Sequence, residues 1–438
     1  MSWPASAHRP ERRPAVAARP AVRGTGSLAV LLVLLLAASL VLLYANRALI
    51  FEQRASAQQA RTVAALAAAE AGLAWTLALL NHPGAVTAAC TPSPSVSAAS
   101  DGGFAARYLQ IDATLGSLAP SVAAQPACVA DGSNAWSCAC PAAGSAALSP
   151  AALGRDLPGF AIRFATGPRP RTLWLQVDGC SGAGSECGSS LVGADAVVHT
   201  EVLLATLGAV ARPPYAALTA RDAVSVQGDA VVANTDAAQN GVTIDAAAAI
   251  TLGPSVQLLA APGSDPTQSL LPADPGWLDA GGSVVSPARF FSSHFALARS
   301  QYKAQPTLRR LNCTGSCGDA DLAAALDTGA RLLWVEGGLA LASAASWGSR
   351  EQPLLLIVEG TLTLTGPVQW QGLAYAGSVA WSNASGALAR LDGALVSEGA
   401  LQLDGRIQVR RDADILARLR DAAGLFAPVA GSWRDFRD

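Results

Sequence analysis

The chain has 438 residues, long enough for two or three domains with their own cores, and carries a formal net charge of -2. Hydrophobic residues make up 51% and charged residues 14%, but much of the hydrophobic share is alanine plus one apolar run near the amino terminus, so aggregate hydrophobicity does not make this a polytopic membrane protein. No basic stripe interleaves with aromatics, which excludes nucleic-acid binding.

The first 23 residues carry Arg9, Arg12, Arg13, Arg19 and Arg23 against a single acid, Glu11, among prolines and alanines. They read as a disordered basic arm. By the positive-inside rule such an arm stays in the cytoplasm, and the chain beyond Tyr44 is exported. Leu28 to Leu43 is apolar apart from Ser39 and, with Ser27 and Tyr44 at its rims, is just long enough to cross a bilayer. A cleaved secretory signal needs small residues after its apolar core, and Tyr44-Ala45-Asn46-Arg47-Ala48 is a poor version of that site.

Helix-forming residues then continue without a proline as far as Asn81. Val63, Leu66, Leu73, Leu77 and Leu80 recur at three- and four-residue steps, with Gln58, Gln59 and Arg61 elsewhere on the wheel. Asn81-His82-Pro83-Gly84 stops the helix. The pattern predicts one helix over 27–81, about 80 Å long by the standard rise, which begins in the membrane.

A basic leader, a glycine, an uninterrupted apolar helix and a semi-polar continuation resemble the amino terminus of a type IV prepilin. The stretch ANRALIFEQRASAQQARTVAALAAAEAGLAWTLALLN is similar to PilX-type minor pilins and pilus assembly proteins, whose helix carries a Gln- and Arg-rich first exported turn and an Ala-Glu-Ala-Gly motif, here Ala69-Glu70-Ala71-Gly72. The ending Gly431-Ser432-Trp433-Arg434-Asp435-Phe436 also resembles large members of that group. The resemblance implies cleavage by a prepilin peptidase after Gly26, which leaves a methylated Ser27 first; Gly24 is the competing site. Outside the resemblance, both glycines read as a hinge at the membrane face. It further implies, as partners, other pilins and minor pilins, an inner-membrane assembly platform and the lipid bilayer. The implied locations are the inner membrane (single pass, amino terminus cytoplasmic), the periplasm and the pilus filament at the cell surface.

Major pilins carry glutamate as the fifth mature residue, and this chain has Leu31 there. In the family that glutamate pairs with the amino group of the subunit ahead, which offsets the several kilocalories of burying a charge in a helix bundle. A subunit with nothing ahead of it would bury the carboxylate unpaired. Loss of the glutamate therefore suits a subunit at or near a filament tip, where it helps to prime assembly. The alternative is an inner-membrane-anchored surface adhesin that never polymerises.

After Pro83 the composition shifts to alanine, serine, proline and glycine, and Ala85 to Pro158 reads as a loop-rich insertion. Phe160, Ile162 and Phe164 alternate, as do Leu173, Leu175 and Val177, and Ala196 to Leu207 is rich in valine and leucine. These three strands predict an antiparallel sheet on which the helix packs. Arg212-Pro213-Pro214-Tyr215 marks a boundary. Beyond it, short alternating units recur at 223–226, 249–252, 338–341, 361–364, 378–381 and 400–403, the later ones after Gly337, Gly360, Gly377 and Gly399. A near-regular repeat with a glycine before each strand predicts a β-solenoid or rolled β-sandwich, with a β-meander as the plain alternative. Residues 288–301 and 319–327 read as helices, and 413–425 as a terminal helix that caps an open edge. The expected fold class is thus α+β: a long pilin-like transmembrane helix on an antiparallel sheet, then a mainly β domain. The expected division is a leader at 1–26, the helix at 27–81, the sheet with its stapled insertion at 82–212, and a β-rich domain at 213–438.

All eight cysteines follow the apolar run, an asymmetry expected of disulfides in an exported region. Cys180 with Cys187 and Cys313 with Cys317 are spaced to clip local loops, whereas Cys90, Cys128, Cys138 and Cys140 allow three pairings. The rival for Cys313-Thr-Gly-Ser-Cys317 is a metal site, but no second pair or histidine pair accompanies it. No phosphate-cradling loop, His-Glu-x-x-His or G-x-S-x-G elbow occurs, and the expectation is a protein with no catalytic residues and no cofactor. Asp319 with Asp321, and Asp412 with Asp414, read as acids at helix starts rather than calcium ligands. Asn312 and Asn383 fit a glycosylation pattern. Trp334, Trp347, Trp370 and Trp381 read as core residues. Some β-helices cleave acidic polysaccharides with clustered aspartates and arginines, and no such cluster is visible along one face.

Overall fold

The structure, a computed structural model, describes residues 25–95, 103–112, 117–121, 126–133, 135–141, 157–182, 196–342 and 344–435. The basic arm with Gly24, and also Cys187 and Phe436, lie outside them.

Helix α1 spans Thr25–Leu80, two residues earlier and one shorter than the pattern predicted. Its amino-terminal part, to Ala60, is one unit and residues 61–438 form a second. In the second unit, α1 lies on a six-stranded antiparallel sheet ordered Gly424–Pro428, Val197–Gly208, Thr172–Cys180, Gly159–Thr166, Ala127–Ala130 and Trp136–Ala139. The three central strands are those expected from the sequence, and the alternating residues Phe160, Ile162, Phe164, Leu173, Leu175 and Val177 of two of them are buried. Ala65, Ala68 and Ala69 are buried too. Small residues on both sides let backbone meet backbone. A β-carbon on Gly179 would sit 2.2 Å from the Ala65 carbonyl oxygen and 2.5 Å from the Ala69 nitrogen, and one on Gly72 would sit 2.7 Å from Val177. Gly179→Val is accordingly expected to cost at least the 1–3 kcal/mol typical of overpacking, because the obstructing atoms are helix backbone that cannot rotate away. Thermal unfolding followed by near-ultraviolet dichroism would register it as a lowered Tm.

The edge strand Gly424–Pro428 differs from the expected division at residue 213. It pairs with Leu204–Gly208, so the region between 209 and 423 is an insertion in the sheet unit. A free edge strand needs a partner, and a pairing across so long a separation leaves no mark on local periodicity. A short helix α2, Phe104–Tyr108, packs beside the sheet through Phe104 and Tyr108.

Strands of the inserted region pair in parallel, in three ladders. Ladder one stacks 309–312, 332–335, 354–358, 372–376, 394–397, Leu218–Ala220, Ile244–Ala246 and Leu270–Leu271. Ladder two stacks 316–317, 338–341, 361–365, 378–383, Leu401–Gly405, Val224–Gln227 and Ile250–Leu252. Ladder three stacks Ser346–Trp347, 369–371, 389–393, Ile407–Arg411, Val231–Ala233 and Gln257–Leu259. All six units picked out by alternation fall in ladder two. Five of them show one buried face there, for example Leu362 and Leu364 inside with Thr361, Thr363 and Thr365 exposed, while Ile250 and Leu252 of the sixth are half-buried.

The glycines before those units have a steric reason. A β-carbon on Gly360 would sit 2.8 Å from the Gly337 carbonyl oxygen, and one on Gly377 would sit 2.5 Å from that of Glu359. Successive passes turn this corner too close together for any side chain.

Stacking order differs from chain order. The first passes, 218–271, continue the stack beyond the last one, 389–411. The chain therefore enters mid-stack, winds to one end, and returns along the outside to begin again at residue 309. Helices α3, Pro287–Phe295, and α4, Arg299–Lys303, lie in the returning segment. Together with α6, Ala413–Asp421, they cover the outer face of ladder one, burying Trp334, Leu355, Ile357, Leu373, Tyr375 and Val396 against Phe290, Phe291, Tyr302, Leu416 and Leu419. The continuous apolar run Leu354–Val358 follows, since both faces of its strand are buried. Helix α6 is thus a cover over that face rather than a terminal edge cap. Helix α5, Asp319–Asp327, contributes Leu322 and Ala325 to the interior.

Candidate functional site

Two surfaces of α1 stand out, one in each unit. From Leu28 to Phe51 every large apolar side chain is exposed, and no acid or base occurs before Arg47. This is the one helix among the described residues long and apolar enough to cross a membrane. Gly26 and Ser27 lie in its first turn and Leu31 within the apolar stretch, 59% exposed.

The second surface is an apolar cleft of about 440 Å³. Leu73, Ala74 and Leu77 of α1 form one wall, Leu175, Val202 and Leu204 of the sheet the floor, and Pro428 to Gly431 with Trp433 the other wall. Glu70 is the one charged residue lining it. Gly72 of the same motif faces the sheet instead, against Phe160 and Val177. The two segments that carry the prepilin resemblance, the Ala-Glu-Ala-Gly stretch and the tail around Trp433, therefore meet across one cleft. The tail is held there by the Glu201–Arg434 ion pair, by the Arg434 guanidinium 4.8 Å over the Trp174 ring, and by the Leu203 amide donating to Ser432 Oγ at 3.1 Å. Sheet residues of the cleft carry no local signal that distinguishes them from core.

Cysteine pairing resolves as Cys90 with Cys140 and Cys128 with Cys138. Cys313 is bonded to Cys317, as their spacing predicted. Cys180 is also disulfide-bonded. Cys313 and Cys317 lie with Asp321 in a group compact enough for a metal ion, but sulfurs bonded to each other offer no thiolate ligand. Asp321 accepts a hydrogen bond from the Gly318 amide at the start of α5, and Asp412 accepts from the Asp414 and Ile415 amides at the start of α6. Asn383 is buried and donates to the Ala387 and Arg406 carbonyls, which removes it as a glycan acceptor. All four singled-out tryptophans are buried.

An aspartate–arginine cluster does exist, contrary to the sequence reading. On the outer side of ladder three, Asp392 accepts from Arg390 and Arg410, and Asp412 from Arg350 and Arg410, with Asp414 on Arg350. Its members come from separate passes of the chain, so no linear spacing reveals it. Each carboxylate is already held by a guanidinium, an arrangement that ties neighbouring passes together.

Comparison with known proteins finds no matching family model, no matching curated protein and no matching solved structure.

Proposed function

We propose that the chain is a minor pilin or pilus assembly protein, incorporated at or near the tip of a type IV pilus, where it helps to prime assembly. The observation that carries this reading is the division of labour along α1: a charge-free apolar stretch with every side chain exposed, then residues 65–80 docked on an antiparallel sheet. Such a stretch needs apolar surroundings, and lipid tails and packed helices are alike in that respect. An uncharged helix therefore passes from a bilayer to a filament core at little cost. The peptidase removes the leader after Gly26, and Ser27 supplies the new amino terminus.

We read the three parallel ladders as the walls of a β-solenoid carried outward by the sheet unit. Its uncovered ladder-two face, with Thr361, Thr363, Gln402, Ser225 and Thr251 pointing outward, would serve an adhesive role. That face also supports the second reading, a membrane-anchored adhesin that is not polymerised.

Sequencing the mature amino terminus separates the two. A start at Ser27 or Thr25 is expected for the pilin; an intact Met1 would leave only the anchored adhesin. Immunogold labelling is expected at filament ends and at low copy, and even labelling along shafts would overturn the tip assignment.

A further inference from the structure

A pair of aspartates lies under the returning segment, on the outer side of ladder one. Asp245 is fully buried on its strand, between the inward-facing Ile244 and Ala246. Asp274 opens the returning segment and sits against it, its amide donating to the Ala246 carbonyl at 2.9 Å, which sets its carboxyl group beside that of Asp245. Tyr215 donates its hydroxyl to Asp274 Oδ2 at 3.0 Å, and Trp277 Nε1 donates to Asp245 Oδ2 at 2.8 Å. Asp245 Oδ1 has no partner, and the hydroxyl of Thr219, its neighbour in register one pass away, has none either.

A buried carboxyl beside a second carboxylate resists ionising unless a cation lies between them. Among the described residues no arginine, lysine or histidine forms an ion pair with either one; Asp274 acts on Asp245 by its charge, and the neutral Tyr215 hydroxyl by a hydrogen bond. His294 of α3, which packs 5.9 Å from the Trp277 ring, is buried and held neutral, its pKa pushed down to about 4. An ionised Asp245 would also leave one oxygen unsatisfied in apolar surroundings, a cost that protonation removes. Burial, with the Asp274 charge adding to it, accordingly raises Asp245 to about 7, although the Tyr215 and Trp277 hydrogen bonds oppose the shift.

We propose that Asp245 and Asp274 hold one proton between them, and that this shared proton latches the start of the returning segment onto ladder one. Asp274 and Trp277 belong to that segment, and Trp277 packs on Phe290 of α3 at 4.7 Å. Losing the proton sets like charges against each other at the point where the segment leaves the stack. The effect loosens the cover over 274–295 rather than the ladders beneath.

The sign follows from the raised pKa. The closed form binds a proton that the opened form, with an ordinary carboxyl near 3.8, does not. Protection of the segment is therefore greatest below about pH 4 and falls as pH climbs toward about 7, roughly tenfold per unit. Hydrogen exchange on the full-length protein, corrected for intrinsic rates and compared between pH 5 and pH 7.5, reads this directly. The expected result is a loss of protection in 274–295 of at least tenfold, with 354–358 unchanged. Asp245→Asn supplies an amide donor where the proton sat, and its segment should stay protected at both pH values. Asp274→Asn removes the repelling charge and should do the same, which keeps the test open should either variant fold poorly. Equal wild-type protection at the two pH values overturns the latch. So does protection at pH 7.5 that millimolar calcium restores and a chelator removes, since a cation and not a proton would then join the pair.

Discussion

A chain ending at Ala422 is expected to lose the fold of its sheet unit while keeping the inserted ladders. The deletion removes the edge strand paired with Leu204–Gly208, the buried Phe426, and both hydrogen bonds of the buried Asn81 side chain. Asn81 Nδ2 donates to the Phe426 carbonyl at 2.9 Å, and the Phe426 amide donates to Asn81 Oδ1 at 2.8 Å, across 345 residues of sequence. Leaving that amide buried without partners costs about 1–3 kcal/mol for each group, and burial of a phenylalanine contributes about 1.5–3 kcal/mol more. Added to the unpaired sheet edge, the loss is a large part of the 5–15 kcal/mol that holds an ordinary domain together. Limited proteolysis should therefore digest 61–208 and leave a resistant fragment spanning about 209–421. Resistance of the sheet region in the truncated chain would show that the tail strand is dispensable. Asn81→Ala isolates the hydrogen-bond part of the effect and should lower Tm without exposing the edge.

That dependence explains what could be read from the residues and what could not. Periodicity reports which face of a segment is buried, so α1 was legible from its helical spacing, and the strands around Phe160 and Leu175 and the six units of ladder two from alternation; the strand around Val202 showed only as a run rich in valine and leucine. It is silent about which strand lies alongside. Parallel ladders join backbone to backbone, and nothing in Leu218 or Leu395 marks them as neighbours. The mid-stack entry of the chain, the tail strand beside Val197–Gly208 and the Arg390–Asp392–Arg410 cluster all depend on such long-range adjacency. Asp245 did leave one trace, an acid between two apolar residues on a strand, which is costly unless something specific receives it. The cleft between Leu73 and Trp433 is a mixed case, since both of its walls were noticed as motifs but their meeting was not.

Placing an acid at position 31, the fifth mature residue if the leader is cut after Gly26 as proposed, tests the apolar stretch itself. On the proposed pilin reading, Leu31→Glu is expected to reduce incorporation of this chain into filaments by about tenfold or more. A charged side chain costs about 2.5–3.5 kcal/mol at the centre of a membrane helix and less toward its ends, where Leu31 lies as the fourth residue of the apolar run, and about 1.4 kcal/mol is a factor of ten. In a shaft subunit the carboxylate would recover that cost by pairing with the amino group of the subunit ahead. At a tip no such group exists, so the penalty stands both in the bilayer and in the assembled filament. Leu31→Gln separates charge from polarity and should give a milder loss. Counting gold particles per filament in strains carrying each variant measures the difference. If Leu31→Glu were instead incorporated more often and spread along the shafts, a pairing amine must lie ahead of it, and a tip position would be untenable.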